Sequence, residues 1–263
     1  MGESQRHSVI EISNVSIGYQ GKHNTTTAVC EHLSVTVSQG ELVCLLGPNG
    51  CGKSTFIRTI AGMQPALQGS ISLDGWLITT MRPDDLAKKM SVVLTDRIDD
   101  VNMSVYDIVS LGRYPYTNWY GKMTDNDEQV IFDAMRKVSV EMLAERRFQE
   151  LSDGEKQRTM IAKALAQDTS CIVLDEPTAH LDLPNRIEVM ELLKVLAHST
   201  QKSILVSTHE LNLALQVADN IWLMQKNGPM LYGAPQELVR NKSFEQAFKL
   251  DSTVLERFLM NLV

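Results

Sequence analysis

Residues 47–54 read Gly47, Pro48, Asn49, Gly50, Cys51, Gly52, Lys53 and Ser54, with Thr55 next. Glycine, four residues, then Gly-Lys-Ser is a phosphate-binding loop pattern. It constrains the fold more than any other stretch of this chain. The glycines free a run of backbone N–H groups to wrap a polyphosphate anion. Lys53 reaches the outer phosphates, and the Ser54 hydroxyl suits Mg²⁺. Upstream, Glu41-Leu42-Val43-Cys44-Leu45-Leu46 is a short apolar run of the kind buried on both faces of a parallel sheet. Downstream, residues 54–61 read as a helix, whose N-terminus adds free N–H groups and a dipole that favour an anion. Strand, loop and helix in this order call for an α/β fold.

The chain has 263 residues, enough for one α/β domain spanning 1–263 with a large core. A net charge of −7 argues against nucleic acid as a partner, because that needs a basic surface. Cys30, Cys44, Cys51 and Cys171 show no Cys-x-x-Cys spacing, so they read as reduced thiols with no zinc and no disulfide framework. No basic stretch leads into an apolar run at the start, so no signal peptide is expected. No apolar stretch approaches the ~20 residues of a membrane-spanning helix.

Ser8–Ile12 and Leu33–Val37 alternate like half-buried antiparallel strands. Ser70–Leu73 runs into Asp74-Gly75, a hairpin-turn dipeptide, and Ser91–Leu94 is another strand. Residues 96–167 have mostly helical periodicity and form an inserted helical lobe. Cys171–Leu174 and Ser203–Val206 are continuous apolar strands, with an amphipathic helix carrying Ile187, Met190, Leu193 and Leu196 between them. Asn220–Met224 and Met230–Tyr232 flank an Asn227-Gly228 turn, and residues 235–263 read as helical.

Asp175-Glu176 closes the strand at 171–174, where α/β sheets bind ligands. Asp175 is placed to hold Mg²⁺ through water, and Glu176 to take a proton from an attacking water. His209 closes the next apolar strand, where it either caps a loop or hydrogen-bonds a γ-phosphate and the attacking water.

These residues, taken with Leu151-Ser152-Asp153-Gly154-Glu155, resemble the ATP-binding cassette ATPases of membrane transporters. The pentapeptide is similar to that family's Leu-Ser-Gly-Gly-Gln signature. The order also matches: phosphate loop, helical lobe, signature, acidic strand, the D-loop Ala179-His180-Leu181-Asp182, then the switch histidine His209. The resemblance implies a P-loop NTPase (RecA-like) core, an antiparallel β subdomain and the inserted helical subdomain. It implies ATP and Mg²⁺ as cofactors and a head-to-tail homodimer that sandwiches two ATP molecules. Ser152 and Gly154 would then contact the γ-phosphate held by the partner, and Asp182 would link the two sites. Tyr19 stands where the family stacks an aromatic on adenine.

Two departures stand out. The signature has Asp153 for Gly and Glu155 for Gln. The negative charge of Asp153 is expected to point away from the triphosphate or to pair with Lys156 or Arg158. Thr95, followed by Asp96, replaces the family's Q-loop glutamine, and its shorter side chain offers an oxygen near Mg²⁺. Leu111-Gly112-Arg113-Tyr114-Pro115-Tyr116, then Trp119-Tyr120, resembles importers of iron–siderophore, haem and cobalamin. Its aromatics suit a docking surface for a permease, or else pin a Pro-containing loop. The resemblance thus implies a polytopic membrane permease as partner, indirectly a periplasmic binding protein, and a peripheral position on the cytoplasmic face of the bacterial inner membrane. Two other readings use the same motifs: a soluble cassette that is not a transporter, of the Fe–S cluster assembly type, and a weakly hydrolysing scaffold cassette. The presence of both Glu176 and His209 disfavours the scaffold.

Overall fold

The computed structural model describes residues 7–21, 25–95, 102–117, 120–226 and 228–248. Two long alternating strands, β1 (Ser8–Gln20) and β2 (Thr26–Ser38), pair antiparallel, with Ile10 opposite Val37 and Ile12 opposite Val35. β3 (Leu42–Leu46) carries the phosphate loop into helix α1 (Lys53–Ile60). β4 (Gln68–Leu73) and the short β5 (Trp76–Leu77) complete a four-stranded antiparallel sheet in the order β2-β1-β4-β5. Asp74, with φ 49°, sits in the left-handed region that the expected two-residue turn requires.

The second sheet has six strands. β6 (Met90–Val93), β7 (Cys171–Asp175), β8 (Ser203–Ser207), β9 (Asn220–Leu223) and β10 (Leu231–Gly233) join β3 in the order β10-β9-β3-β8-β7-β6. β10 runs antiparallel to β9, and the other pairings are parallel. The continuous apolar strands are buried on both faces, and alternate residues serve two cores. Leu42, Cys44, Leu46, Ile172, Leu174, Ile204 and Val206 face the helical side. Val43, Leu45, Val173 and Leu205 face α1 and the antiparallel sheet, together with Phe56, Ile57, Ile10 and Ile17. Each such buried side chain stabilises the fold by about 1.5–3 kcal/mol relative to exposure. This two-sided demand explains why these runs show no polar alternation.

The inserted lobe is built on α3 (Val105–Ser110), α4 (Asp125–Lys137) and α5 (Asp153–Ala166). All three helices begin with a reciprocal capping box: Ser104 with Asp107, Thr124 with Asp127, and Ser152 with Glu155. In each box the hydroxyl accepts from a first-turn N–H while the acid returns to the cap N–H, satisfying two donors that a helix start leaves open. The start of the 96–167 lobe falls at residues 96–101, outside the described residues.

Within the Leu111–Tyr116 segment, a 3₁₀ turn, Arg113 is buried. Its guanidinium pairs with Asp127 at 2.8 Å, donates to the Ala166 carbonyl at 2.9 Å, and lies 4.1 Å from the centre of the Tyr116 ring. Arg113 therefore ties the turn to the start of α4 and the end of α5. Tyr114 and Tyr120 are 73% and 74% exposed. The motif thus divides into a structural arginine and outward-facing tyrosines. Trp119 lies outside the described residues, as do Asp96, Asn227 and 249–263.

Helix α6 (Leu183–Thr200) corrects one expectation. Its buried residues are Val189, Met190, Leu193, Leu196 and Ala197, whereas Ile187 is 42% exposed. The first turn of α6 projects past the sheet to the strand tips, where Arg186 rather than Ile187 turns inward. α2 (Pro83–Ala87), between β5 and β6, with α7 (Leu211–Val217), α8 (Pro235–Arg240) and α9 (Ser243–Phe248), completes the described α-helices.

Candidate nucleotide site

The sheet order puts β8 between β3 and β7, so three parallel strands end side by side. Leu45, Ser207 and Asp175 lie in register across them. The phosphate loop follows the first strand, Thr208-His209 the second and Glu176 the third.

Gly52 caps α1 with φ 109°, and a Cβ there would lie 2.4 Å from Val29 Cγ1. Only glycine makes this bend against β2. Lys53 is 6% exposed, and its ammonium donates to the Gly47 carbonyl at 3.0 Å. Beside it opens a cavity of about 420 Å³, lined by Tyr19, Asn49, Gly50, Ser54, Thr55 and Glu176 among others. That volume falls in the range of small-molecule pockets, about 300–1,000 Å³. Tyr19 is 54% exposed, and its phenol hydrogen-bonds the Thr55 hydroxyl at 2.7 Å. Burial pushes the Cys51 thiol above its ordinary pKa, against the opposing pull of Lys53.

Asp175 is 5% exposed, and Ser207 Oγ donates to its Oδ1. The backbone N–H of Glu176 donates to both the carbonyl and the hydroxyl of Ser207, at 3.1 and 3.0 Å. Glu176 has φ 45°, a left-handed conformation that costs a non-glycine residue on the order of 1 kcal/mol and is typical of functional sites. Ser207 holds this bend and so aims the Glu176 side chain into the cavity. His209 stands beside it, with Nδ1 3.8 Å from Glu176 Oε2 and Nε2 3.4 Å from Glu210 Oε1. Ser54, in the cavity lining, and Asp175, at the neighbouring strand tip, offer oxygen donors only, the type that fits a hard cation such as Mg²⁺.

Thr95 sits elsewhere. It lines a separate cleft of about 100 Å³ with Asp153, Gln157, Glu176 and His180, and it donates its hydroxyl to the Asp175 carbonyl at 2.8 Å. Its proton is therefore committed to the acidic strand, and only a lone pair remains for any cation. Glu176 borders both the cleft and the phosphate cavity.

Ser152 and Gly154 lie at the start of α5, outside the cavity lining. Glu155 accepts from the Ser152 N–H and hydroxyl, both at 2.9 Å. These two bonds, the backbone one first, hold its carboxyl below the usual range. The Gln-to-Glu departure therefore strengthens a helix cap. A Cβ on Gly154 would lie 2.3 Å from Asn185 Oδ1, and Asn185 donates to Asp182 Oδ1 at 2.6 Å. Asp182 caps α6, so signature and D-loop are packed together in one chain. Asp153 has no ion pair among the described residues, and Arg158 pairs with Glu188 at 3.2 Å, so of the two expected arrangements the pairing is not the one adopted.

The structure thus gathers Tyr19, Asn49, Gly50, Gly52, Lys53, Ser54, Thr55 and Glu176 around one cavity, with Gly47, Pro48 and the buried Cys51 outside its lining and Asp175 and His209 at the same strand tips. It keeps Ser152, Gly154, Asp182 and Thr95 apart from the cavity. Sequence reasoning missed Ser207, Asn185 and the pair Arg186–Glu210. The visible signal for Ser207 was a hydroxyl closing the apolar run Ile204–Val206.

A phosphate loop, an acidic strand tip and a histidine on adjacent parallel strands, with an inserted capped-helix lobe, define a cassette-type ATPase. The sequence profile described as ABC transporter matches residues 30–179. An uncharacterized ABC transporter ATP-binding protein of Methanocaldococcus jannaschii is 39% identical over 242 residues, covering 92% of this chain and 82% of that protein. A petrobactin import ATP-binding protein of Bacillus anthracis is 35% identical, covering 87% and 84%. Among solved structures, an inward-facing transporter described as of metal-chelate type superposes with TM-score 0.78 at 29% identity, covering 93% of this chain and 90% of that one. A dimeric bacterial ABC transporter cassette does so with TM-score 0.72 at 25% identity, covering 86% and 98%. The chain belongs to the ABC transporter family and is an ATPase, converting ATP and water to ADP and phosphate in a reaction coupled to transmembrane transport. Cassettes of this family form dimers and are part of transporter complexes.

Proposed function

We propose that this chain is the ATP-hydrolysing subunit of an importer for an iron chelate of the siderophore class. The observation that carries the reading is Glu176, bent by Ser207 toward the phosphate cavity. The import roles named for relatives support the cargo: petrobactin in one and iron(3+)-hydroxamate in another at 31% identity. In this reading Gly47 to Thr55 bind the phosphates, and Tyr19 stacks on adenine after its phenol leaves Thr55. Ser54, and Asp175 through water, would hold Mg²⁺, which would neutralise phosphate charge, while Thr95 steadies the acidic strand tip through the Asp175 carbonyl rather than reaching the cation. Glu176 takes the proton of the attacking water, and His209 contacts the γ-phosphate.

Residues 1–263 act as one cassette, in which the lobe 96–167 presents Ser152 and Gly154 to the nucleotide of a second copy. Asp182 then lies at the junction of the two copies. Leu183 and Ile187, one turn apart on α6 and 62% and 42% exposed, give that junction an apolar edge. Tyr114 and Tyr120 dock a many-helix permease, which is fed by a periplasmic binding protein. No described helix is long and apolar enough to cross a membrane. Docked on that permease, the cassette sits peripherally on the cytoplasmic face of the inner membrane. Co-purification tests this: a polytopic permease should come down with the chain, and purified complexes should turn over ATP faster when loaded with binding protein and ferric siderophore. Turnover unaffected by every chelate would reject the cargo.

A further inference from the structure

The second ring nitrogen of His209 faces a carboxylate from outside the motifs. Glu210 occupies the N-cap position of α7, yet its side chain makes no capping hydrogen bond there. A glutamate is also a poor choice for a cap, where Ser, Asp or Asn satisfies the open N–H groups better. Its carboxylate is turned sideways instead, to His209 Nε2 at 3.4 Å and to the guanidinium of Arg186. Arg186 in turn donates through Nε to the Leu181 carbonyl at 2.6 Å, in the D-loop. Arg186 sits in the first turn of α6, where a cation opposes the helix dipole. Two local rules are broken together, and each residue compensates the other. Glu210 is 19% exposed and Arg186 30%, so the pair is partly shielded while His209 remains 46% exposed.

We infer that Glu210 is the positioning residue of His209, clamped by Arg186, and that this pair ties the D-loop to the switch histidine within one chain. The ring of His209 lies between two carboxylates, Glu176 on Nδ1 and Glu210 on Nε2. With Glu210 fixed by Arg186, the ring keeps one orientation, and any displacement of the D-loop carbonyl at Leu181 is passed to it through three contacts. This rests on the proposed role of His209.

The test is a double-mutant cycle on the full chain, read as single-turnover ATP hydrolysis and as the KM for ATP. Glu210→Ala and Arg186→Ala are each expected to lower kcat about tenfold, as misplacing one group of a site does, with KM within about twofold. In the His209→Ala background, Glu210→Ala should cost nothing further, because its effect passes through that ring. Glu210→Gln keeps an acceptor for both partners and should restore most of the rate; it also carries the test if the alanine variant fails to fold. A large loss in His209→Ala with kcat unchanged in both Glu210→Ala and Arg186→Ala overturns the inference alone. An additive loss in the double variant does the same. Full turnover in His209→Ala removes the proposed histidine role and the inference with it.

Discussion

Arg113→Ala should be among the costliest single changes outside the cavity, and its cost follows from three contacts. The guanidinium is 6% exposed, and the Asp127 carboxylate it pairs with is 8% exposed. Removing one partner of a buried pair costs about 3–5 kcal/mol, because the other charge is left uncompensated. Asp127 keeps two hydrogen bonds from Thr124, its N–H at 2.9 Å and its hydroxyl at 2.7 Å, which pulls the estimate to the low end. The Ala166 carbonyl also loses its side-chain donor, about 1 kcal/mol more. The sum is about 4 kcal/mol, or roughly 8–16 °C in midpoint for a chain of this size. Calorimetry on Arg113→Ala, Asp127→Leu and the double variant Arg113→Met/Asp127→Leu gives the answer. The double variant should lose less than the sum of the singles, since an apolar replacement of the whole pair removes the stranded charge. A loss under about 1 kcal/mol for Arg113→Ala would refute the reasoning.

Asp127 also predicts a pH dependence. Hydrogen bonds from Thr124, with Arg113 behind them, hold its carboxyl below the ordinary 3.8. A depressed folded value contributes stability that is complete above the ordinary value and is lost as pH falls through the lowered one. Stability should therefore fall on acidification below about pH 4, and Asp127→Asn should flatten that limb in denaturant melts. Lys53→Ala should weaken ATP binding about 10- to 100-fold in calorimetric titrations, the worth of a charge-assisted contact; unchanged affinity would count against the phosphate cradle. Gly154→Ala forces a methyl to within 2.3 Å of Asn185 Oδ1. It should lower ATPase turnover about tenfold or more while leaving monomer ATP affinity intact, because in the proposed dimer the displaced group would serve the nucleotide of a second copy. Thiol titration should leave Cys44 unmodified in the native protein, since burial pushes its pKa up to about 12.

Much of this arrangement is legible in the sequence. The apolar runs at 42–46, 171–174 and 203–206 identify central strands because burial on both faces leaves no room for polar alternation. The loop 47–55 and the acids at 175–176 are readable because phosphate chemistry restricts the residue types there. What was hidden depends on three-dimensional neighbours. Ser207 matters only because β8 lies against β7, an order that no local pattern encodes. Arg186 displaces Ile187 from the inward face of α6 because Glu210, 24 residues later, waits at the next strand tip. Thr95 looks like a shortened glutamine in the sequence, whereas in the fold it is a donor to the acidic strand.

The most direct test of the account is the association state of Glu176→Gln with ATP and magnesium. Sedimentation velocity, run beside an ATPase assay, is expected to show a dimer that forms only with nucleotide and hardly turns over, and that disappears when Gly154→Ala is added. A Glu176→Gln chain that stays monomeric at saturating ATP, or that hydrolyses it at the wild-type rate, would contradict the account.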